Sequence, residues 1–218
     1  MSIPVTDRTR LRRLPERGRH ELAEVAAVLD EALYCHVGIT TEQGPVVIPT
    51  IHARVGDQVV LHGSPASRLL RTLKGGVPMC LTATLVDGLV VARSAFHHSL
   101  NYRSAVVFGE ATEVVDPAAK AEALDALVDH VLAGRAAEAR PGSPKELKGT
   151  TVLTLPLTEA SVKVRTGPPI DEEDDLPLDV WAGVVPLQTV AGTPEPSPDL
   201  AAGIPVPPSV LGLRATAG

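Results

Sequence analysis

The sequence is poor in aromatic residues, in cysteine and in long apolar runs. Phe, Trp and Tyr together make up 2% of its 218 residues, and only two cysteines occur, Cys35 and Cys80. Both cysteines lie among apolar residues, so we predict buried free thiols with neither a disulfide framework nor a Cys-x-x-Cys metal knuckle. No apolar run approaches the ~20 residues of a membrane span, and the N-terminus has no apolar signal core. These absences predict a cytoplasmic protein that does not bind a membrane.

Basic charge and the common catalytic motifs are scarce as well. The 20 Lys and Arg residues are outnumbered by 26 Asp and Glu residues, which gives a net charge of -6. Nucleic acid binding requires a net basic face, so we do not expect a nucleic acid partner. The sequence also has no Gly-x-x-x-x-Gly-Lys, Gly-x-Gly-x-x-Gly or Gly-x-Ser-x-Gly motif. A nucleoside triphosphate loop, a Rossmann unit and a serine hydrolase elbow are therefore disfavoured.

Strand patterns dominate the middle of the chain. An amphipathic helix is predicted over residues 20–33, and apolar runs separated by turn residues follow from Tyr34 onward. Asp87-Gly88 is predicted as a hairpin turn, and Asp116-Pro117 opens a second helix. Short strands without βαβ alternation predict a mainly β fold with flanking helices, built as a small antiparallel barrel.

Composition divides the chain into three parts. Residues 1–19 form a basic N-terminal arm with six arginines, most of them expected in solvent, although one or two could reach an anionic ligand. Residues 20–187 form the predicted barrel domain. Residues 188–218 are rich in Pro, Gly and Ala, which predicts a poorly ordered tail that is still apolar enough to dock on a surface.

The segment His62-Gly63-Ser64-Pro65-Ala66-Ser67-Arg68 joins a strand to a predicted helix start. Ser64 is placed as the N-cap and Pro65 at the first helical position. Free backbone N–H groups, two hydroxyls and a guanidinium at a helix start favour phosphate binding. The alternative is an ordinary N-cap followed by a surface arginine.

The segment from Ser94 to Ser104 concentrates polar side chains between two predicted strands, 89–93 and 105–115. It carries two His, an Asn, a Tyr and an Arg, which suggests a polar ligand; the alternative is a polar loop whose Arg satisfies carbonyls. His97 and His98 are adjacent and cannot both bind one metal from a strand, so no metal site is predicted. His36 and His52 lie in other strand runs, where a structural histidine is the expected role. One of them could instead serve as an axial haem ligand or a proton donor.

These residues together resemble the pyridoxamine 5′-phosphate oxidase-like family, in its flavin-nucleotide-binding branch related to nitroimidazole-resistance proteins. The resemblance covers about residues 10–187. It is carried by short matching stretches: His36-Val37-Gly38, Pro49-Thr50, Leu61 through Arg68, Asp87 through Val90, Ser94 through Ser104 and Trp181 through Val184. It implies a split β-barrel of the FMN-binding type and a homodimer with FMN at the subunit interface.

The resemblance also implies roles for individual residues. Ser64, Ser67 and Arg68 would hold the FMN phosphate, and His62 is counted with them among the cofactor-binding residues. The strand Val47-Ile48-Pro49-Thr50 would lie against the isoalloxazine and offer backbone donors. Asn101, Tyr102, Arg103 and Ser104 would line the phosphate and ribityl side, and His97 or His98 would donate a proton. No match to the C-terminal substrate-phosphate motif of true pyridoxamine phosphate oxidases is found, which argues against vitamin B6 oxidation.

The sequence therefore predicts an FMN-dependent oxidoreductase. It would take electrons from NAD(P)H and reduce a small electrophile such as a nitroaromatic or a quinone. Three alternatives stay open: a non-catalytic flavin carrier or sensor, a haem protein on the same barrel, and a deazaflavin in place of FMN. All flavin versions require the clusters His62–Arg68 and Asn101–Ser104 to close around the same ligand.

Overall fold

The computed structural model describes residues 1–215 and shows a ten-stranded antiparallel sheet with helices against it. The strands are β1 Gly18–Arg19, β2 Tyr34–Thr41, β3 Gly44–Val55, β4 Gln58–Gly63, β5 Met79–Val91, β6 Ser99–Gly109, β7 Thr112–Glu113, β8 Thr151–Pro156, β9 Ala160–Arg165 and β10 Gly183–Pro186. The helices are α1 Leu22–Glu31, α2 Arg68–Lys74, α3 Pro117–Val131, α4 Arg135–Glu138, α5 Pro144–Lys148 and α6 Pro208–Ala215. The predicted mainly β fold with flanking helices is confirmed.

The strands follow the order β1-β9-β6-β5-β2-β3-β4-β8-β7, and β10 adds to β5. The long strand β3 belongs to both halves of the sheet, because residues 44–51 pair with β2 whereas residues 52–55 pair with β4. Alternate side chains of the strands point inward and are fully buried, as for Val37, Leu81 and Leu153. The halves therefore enclose one aliphatic core, and the sheet splits along β3.

Three helices and the N-terminal arm complete the packing, and α2 adds Leu69, Leu70 and Leu73 to the core. Helix α1 buries Val25, Val28 and Leu29 against the core, and Ile3 of the arm is buried with them. Helix α3 begins at the predicted Asp116 N-cap, whose side chain accepts a hydrogen bond from the Ala119 N–H. It covers a smaller apolar cluster on the outer side of β3, β4 and β8.

Two elements differ from their predictions. Helix α2 begins at Arg68 with Ser67 as its N-cap, three residues later than predicted, because residues 64–66 form a turn of their own. Asp87-Gly88 does not end a strand; β5 runs through it with a bulge. Strand β10 lies directly on that bulge, and a Cβ on Gly88 would come within 3.0 Å of the Val185 carbonyl oxygen.

The polar segment from Ser94 to Ser104 is only partly a loop. A 3-10 turn spans Ala95–His97, and β6 already begins at Ser99. Asn101 through Ser104 are thus strand residues, paired with β5 on one side and, from Tyr102 onward, with β9 on the other. The prediction placed the strand start six residues too late because local polarity masked the alternation.

The two thiols and the tail can now be located. Cys35 is buried as predicted, and burial raises the pKa of its thiol to about 12, while Cys80 is only half-buried.

Trp181 is 65% exposed in the single chain. The tail ends in helix α6, where the Ser209 N–H donates to the Glu138 carboxylate at 3.0 Å; residues 216–218 of the predicted tail lie outside the described residues. Within residues 1–215, none of the helices has the length and apolarity needed to traverse a bilayer.

Candidate functional site

The split between β3 and β4 creates an open strand edge. Residues 52–55 of β3 pair with β4, but over residues 44–51 the described chain provides a strand only on the β2 side. Strand β4 continues past Leu61 to His62 and Gly63, which pair with β8 and not with β3. The segment Val47–Thr50 and the end of β4 therefore border the same gap.

Two prolines determine which backbone donors face this gap. Pro45 and Pro49 lie opposite Thr40 and His36 of β2. A proline has no N–H to give to the ladder, so its nitrogen must face the open edge. Because alternate residues point the same way, the Val47 N–H also faces the gap, while the N–H groups of Ile48 and Thr50 face β2. Of the four predicted flavin-contacting residues, Val47 alone thus offers an outward backbone donor.

The turn after β4 carries the predicted phosphate residues. The Ser64 hydroxyl accepts from the Ala66 N–H at 3.2 Å, and the Ser67 hydroxyl accepts from the Leu70 N–H at 3.5 Å. Both hydroxyl hydrogens stay available to a ligand. Arg68 is exposed, and no described carboxylate pairs with its guanidinium. The structure thus brings Ser64, Ser67 and Arg68 together beside the gap.

His62 is the second-last residue of β4, just ahead of this turn. His62 and Val60 are two residues apart on β4 and therefore point to the same face. Val60 packs against α3, so the His62 ring lies on the outer side of β4 and not in the barrel core. Burial lowers the pKa of His62, and its Nδ1 atom is buried without a hydrogen-bond partner in the described chain. The His62 ring therefore keeps one buried nitrogen that no described group binds.

The second predicted cluster does not form a single surface. Strand alternation sends Tyr102 and Ser104 to the outer face and Arg103 to the opposite one. Arg103 donates to Glu31 and Asp87, with its Nη2 atom 2.8 Å and 2.7 Å from their carboxylates. These two carboxylates raise the pKa of Arg103. Arg103 therefore bridges α1 and β5, and the four residues cannot all contact one ligand.

Asn101 is occupied within the chain as well. Its side-chain amide donates to the Gly167 carbonyl at 3.2 Å, and its oxygen accepts from the guanidinium of Arg165. Arg165 is 5% exposed and donates further to the carbonyls of Gly167 and Pro168. Burial lowers the pKa of Arg165. Asn101 thus positions a buried arginine.

Within one chain the two predicted clusters are apart. Strands β5, β2 and β3 lie between β6 and β4 in the sheet. His97 and His98 are farther still from the β3 edge, because they follow the end of β5. That end lies nine residues, or roughly 30 Å along the strand, beyond Thr82, the β5 residue that pairs with β2. The His97 ring lies 3.5 Å from the Glu172 carboxylate, and His98 Nδ1 lies 3.0 Å from the Ser94 carbonyl oxygen. Their catalytic role stays a prediction.

The structure also shows a cleft that the sequence did not single out. It has a volume of about 460 Å³ and lies between the N-terminal arm and the outer face of β6 and β9. Its lining combines cations, hydroxyls and apolar side chains: Arg8, Thr9, Arg10, Leu11, Tyr102, Ser104, Val106, Phe108, Ser161 and Lys163. The arginine-rich arm was the available signal, but the strand partners of the arm could not be read from the sequence.

Comparisons with known proteins agree with this architecture. The family model for pyridoxamine 5′-phosphate oxidase matches residues 21–164. The flavocytochrome Anf3 from Azotobacter vinelandii is 41% identical over 96% of this chain and 97% of its own, with a TM-score of 0.90. An FAD- and haem-binding protein from Mycobacterium smegmatis is 41% identical over 90% of this chain and 97% of its own, with a TM-score of 0.87.

A third structure shares the fold at lower identity. A 5-nitroimidazole antibiotic resistance protein from Bacteroides thetaiotaomicron is 23% identical over 66% of this chain and 84% of its own, with a TM-score of 0.57. No curated protein is significantly similar in sequence to the chain.

Proposed function

The chain belongs to the pyridoxamine 5′-phosphate oxidase family, and on that basis we propose that it is a flavin-binding oxidoreductase that also binds haem. The observation that carries this proposal is the 41% identity, over nearly the whole chain, to a flavocytochrome and to an FAD- and haem-binding protein. The predicted resemblance to this family is thereby confirmed. The proposal covers two flavins: FMN, as predicted from the sequence, and FAD, as in the M. smegmatis relative.

The gap between β3 and β4 supports the flavin part of the proposal. A bound flavin supplies the redox chemistry itself, so the protein has to hold and orient it. The exposed Arg68 guanidinium and the hydroxyls of Ser64 and Ser67 suit a phosphate. The outward Val47 N–H and the neighbouring carbonyls of the open edge suit the polar rim of an isoalloxazine.

A homodimer would explain why one chain does not complete the predicted site. The outer face of β2, β3 and β5 exposes apolar side chains, with Tyr34 57%, Val47 64% and Val86 44% exposed. Exposed apolar patches of this kind mark interaction surfaces. A second copy on this face would bury them and would bring the Tyr102–Ser104 face of one subunit towards the β3 edge of the other.

The first experiment is the absorption spectrum of the purified full-length protein, followed by chromatography of the released cofactor. We expect flavin bands, and the chromatogram distinguishes FMN, FAD and a deazaflavin. Oxidation of NADH or NADPH is then followed with a nitroaromatic or a quinone as acceptor. Bound flavin without turnover would favour a carrier or sensor. A colourless protein that binds no flavin on titration would contradict the proposal.

His36 is the residue best placed to bind haem iron. It lies on the exposed face between Pro49 and Thr82, half-buried, and its ring centroid lies 5.5 Å from that of Tyr34. Neither of its ring nitrogens has a hydrogen-bond partner in the described chain. By contrast, His52 is fully buried with its Nε2 atom 2.9 Å from the Leu29 carbonyl oxygen. An imidazole nitrogen free to coordinate is what an axial ligand requires.

Haem titration tests this assignment. We expect a Soret band in the wild-type protein that is lost or strongly shifted in His36→Ala. His98→Ala is the matched control, because its ring is already bonded to the Ser94 carbonyl oxygen. An unchanged Soret band in His36→Ala would remove His36 from the haem site, and no band in the wild-type protein would remove haem from the proposal.

A further inference from the structure

The cleft beneath the N-terminal arm has the chemistry of an anion site. Arg10 and Lys163 line it, and no described carboxylate pairs with either cation. Arg8 differs, because its guanidinium is bound to Glu159 and lies 5.0 Å from the centre of the Phe108 ring. The chain has a net charge of -6, so its overall composition does not account for unpaired cations gathered at one cleft.

The arm is fixed over the cleft by contacts that leave Arg10 free. Thr9 is 1% exposed, and the Thr6 N–H donates to its hydroxyl at 2.9 Å. Glu159 accepts from the Thr6 hydroxyl at 2.5 Å and from Arg8 Nε at 3.0 Å. These bonds fix residues 6–9, and the Arg10 N–H donates to the Thr6 carbonyl oxygen at 2.9 Å, so the position of the Arg10 backbone at the cleft is defined before any ligand arrives.

The floor of the cleft is a two-strand surface. Ser104 of β6 lies opposite Lys163 of β9, and Val106 lies opposite Ser161. Strand alternation adds Tyr102 and Phe108 to the same face. The cleft therefore offers two cations and several hydroxyls beside two aromatic rings and an aliphatic strip.

Further positive charge lies at one end of the cleft. Arg165 follows Lys163 on the same face of β9, opposite Tyr102. It is 95% buried yet bonded only to neutral oxygens, and the nearby Arg17 contributes to lowering its pKa. Buried cations without a carboxylate raise the local potential and attract an anion.

We propose that this cleft binds an adenosine diphosphate moiety. Its phosphates would contact Arg10 and Lys163, and its adenine would pack on Tyr102 or Phe108. The volume of about 460 Å³ lies in the range of small-molecule sites. This inference rests on the proposed function for the biological source of the moiety. Two ligands of that function contain it: FAD, unlike FMN, and the electron donor NADH or NADPH.

The test uses four full-length proteins: wild type, Arg10→Gln, Lys163→Gln and the control Arg13→Gln. Arg13 is an exposed arginine of the same arm that does not line the cleft, and its substitution changes the net charge equally. ADP is titrated into each protein by calorimetry, with adenosine as the phosphate-free comparison. We expect about tenfold or greater weakening of ADP binding in each cleft variant, no change in the control, and weaker binding at higher salt.

The flavin content and the donor kinetics distinguish the two sources. If the moiety belongs to the donor, the cleft variants keep their flavin and show a raised KM for NADH or NADPH. If it belongs to FAD, whose two phosphates are directly joined, the cleft of one subunit must adjoin the Ser64–Arg68 turn of the other in the proposed dimer. The wild-type protein then purifies with FAD and excludes ADP, whereas the cleft variants lose FAD but still bind FMN. Both outcomes support the proposal.

One pattern would overturn it. ADP binding that is absent or equal in all four proteins, together with equal retention of FAD, would show that the cleft does not bind this moiety. The ADP titration needs no redox activity, so this result is distinct from a failure of the proposed oxidoreductase function.

Discussion

Arg68 is the residue on which the proposed flavin phosphate site most depends. It is exposed at the start of α2, beside two serine hydroxyls, and no described carboxylate competes for it. Replacing it by alanine removes a charge-assisted hydrogen bond to the phosphate. We expect Arg68→Ala to weaken flavin binding by about 2 kcal/mol, or about 30-fold.

Flavin fluorescence titration measures this effect, and Arg71→Ala is its control. Arg71 is exposed one turn later on the same helix, so its loss changes the net charge equally. Equal affinities in wild type and Arg68→Ala would show that the phosphate lies elsewhere.

His52 makes the stability of the protein depend on pH. It is fully buried beside His130, with ring centroids 4.8 Å apart, and burial lowers its pKa to about 4. A depressed histidine pKa means that the unfolded chain binds the proton more readily. The contribution of His52 to the free energy of unfolding is therefore complete above pH 6.5. It is lost as the pH falls towards 4, by up to roughly 3 kcal/mol.

Urea denaturation at pH 7, 5 and 4 tests this dependence in wild type and His52→Gln. The glutamine amide can still donate to the Leu29 carbonyl oxygen but does not titrate. We expect the free energy of unfolding of the variant to fall less steeply below pH 6.5. Parallel pH profiles for the two proteins would contradict the assignment.

At the scale of elements, β10 packs closely against Gly88, the one residue of its β5 partner segment that has no side chain. Its residues 183–186 pair with residues 88–91, and a Cβ on Gly88 would meet the Val185 carbonyl oxygen at 3.0 Å and Val184 Cγ1 at 3.2 Å. We expect Gly88→Ala to loosen β10. Faster amide hydrogen exchange in residues 183–186, with the rest of β5 still protected, is the expected result.

Gly38→Ala is the matched control for this substitution. A Cβ at Gly38 would meet only ordinary contacts, the nearest being the Cys80 carbonyl oxygen at 3.6 Å. Exchange in residues 183–186 should not change in this variant. Unaltered exchange in Gly88→Ala would mean that β10 can shift without detaching.

The same element shows why some structure could be predicted and some could not. The periodic segment of α1 was predicted within two residues at each end, because its burial pattern is local. Gly88 was read as a turn residue, but its role is set by β10, about 100 residues later in the chain. Close approach of a distant strand leaves no local signal.

The candidate site shows the same limit. Ser64, Ser67 and Arg68 are close in sequence, so their proximity could be predicted. Arg103 was assigned to a ligand, but it is bonded to Glu31 and Asp87, which come from two other elements. Lys163 was not singled out at all, because only the pairing of β9 with β6 and with the arm places it in a cleft.

For the whole molecule, the exposed apolar face predicts self-association. We expect light scattering of the eluted wild-type protein to give about twice the 22.8 kDa of one chain. Val47→Asp should shift the protein to a monomer and lower its flavin content, because a carboxylate on this face is costly to bury. Val47 is 64% exposed in the single chain, so the substitution should not unfold it.

Val115→Asp is the control for this experiment. Val115 is 76% exposed and lies ahead of α3, away from the β2, β3 and β5 face. It should keep both the dimer and the flavin. A monomeric wild-type protein with full flavin content would show that one chain suffices for binding.

The two prolines of the open β3 edge matter for the chain on its own. An unpaired edge can template strands from other molecules and so begin a growing fibril. Four outward positions run from Pro45 to Ile51, and the prolines remove the N–H from two of them, Pro45 and Pro49. A foreign strand therefore finds only every second donor that it needs. A newly synthesised chain can thus keep this edge open without seeding polymers of itself.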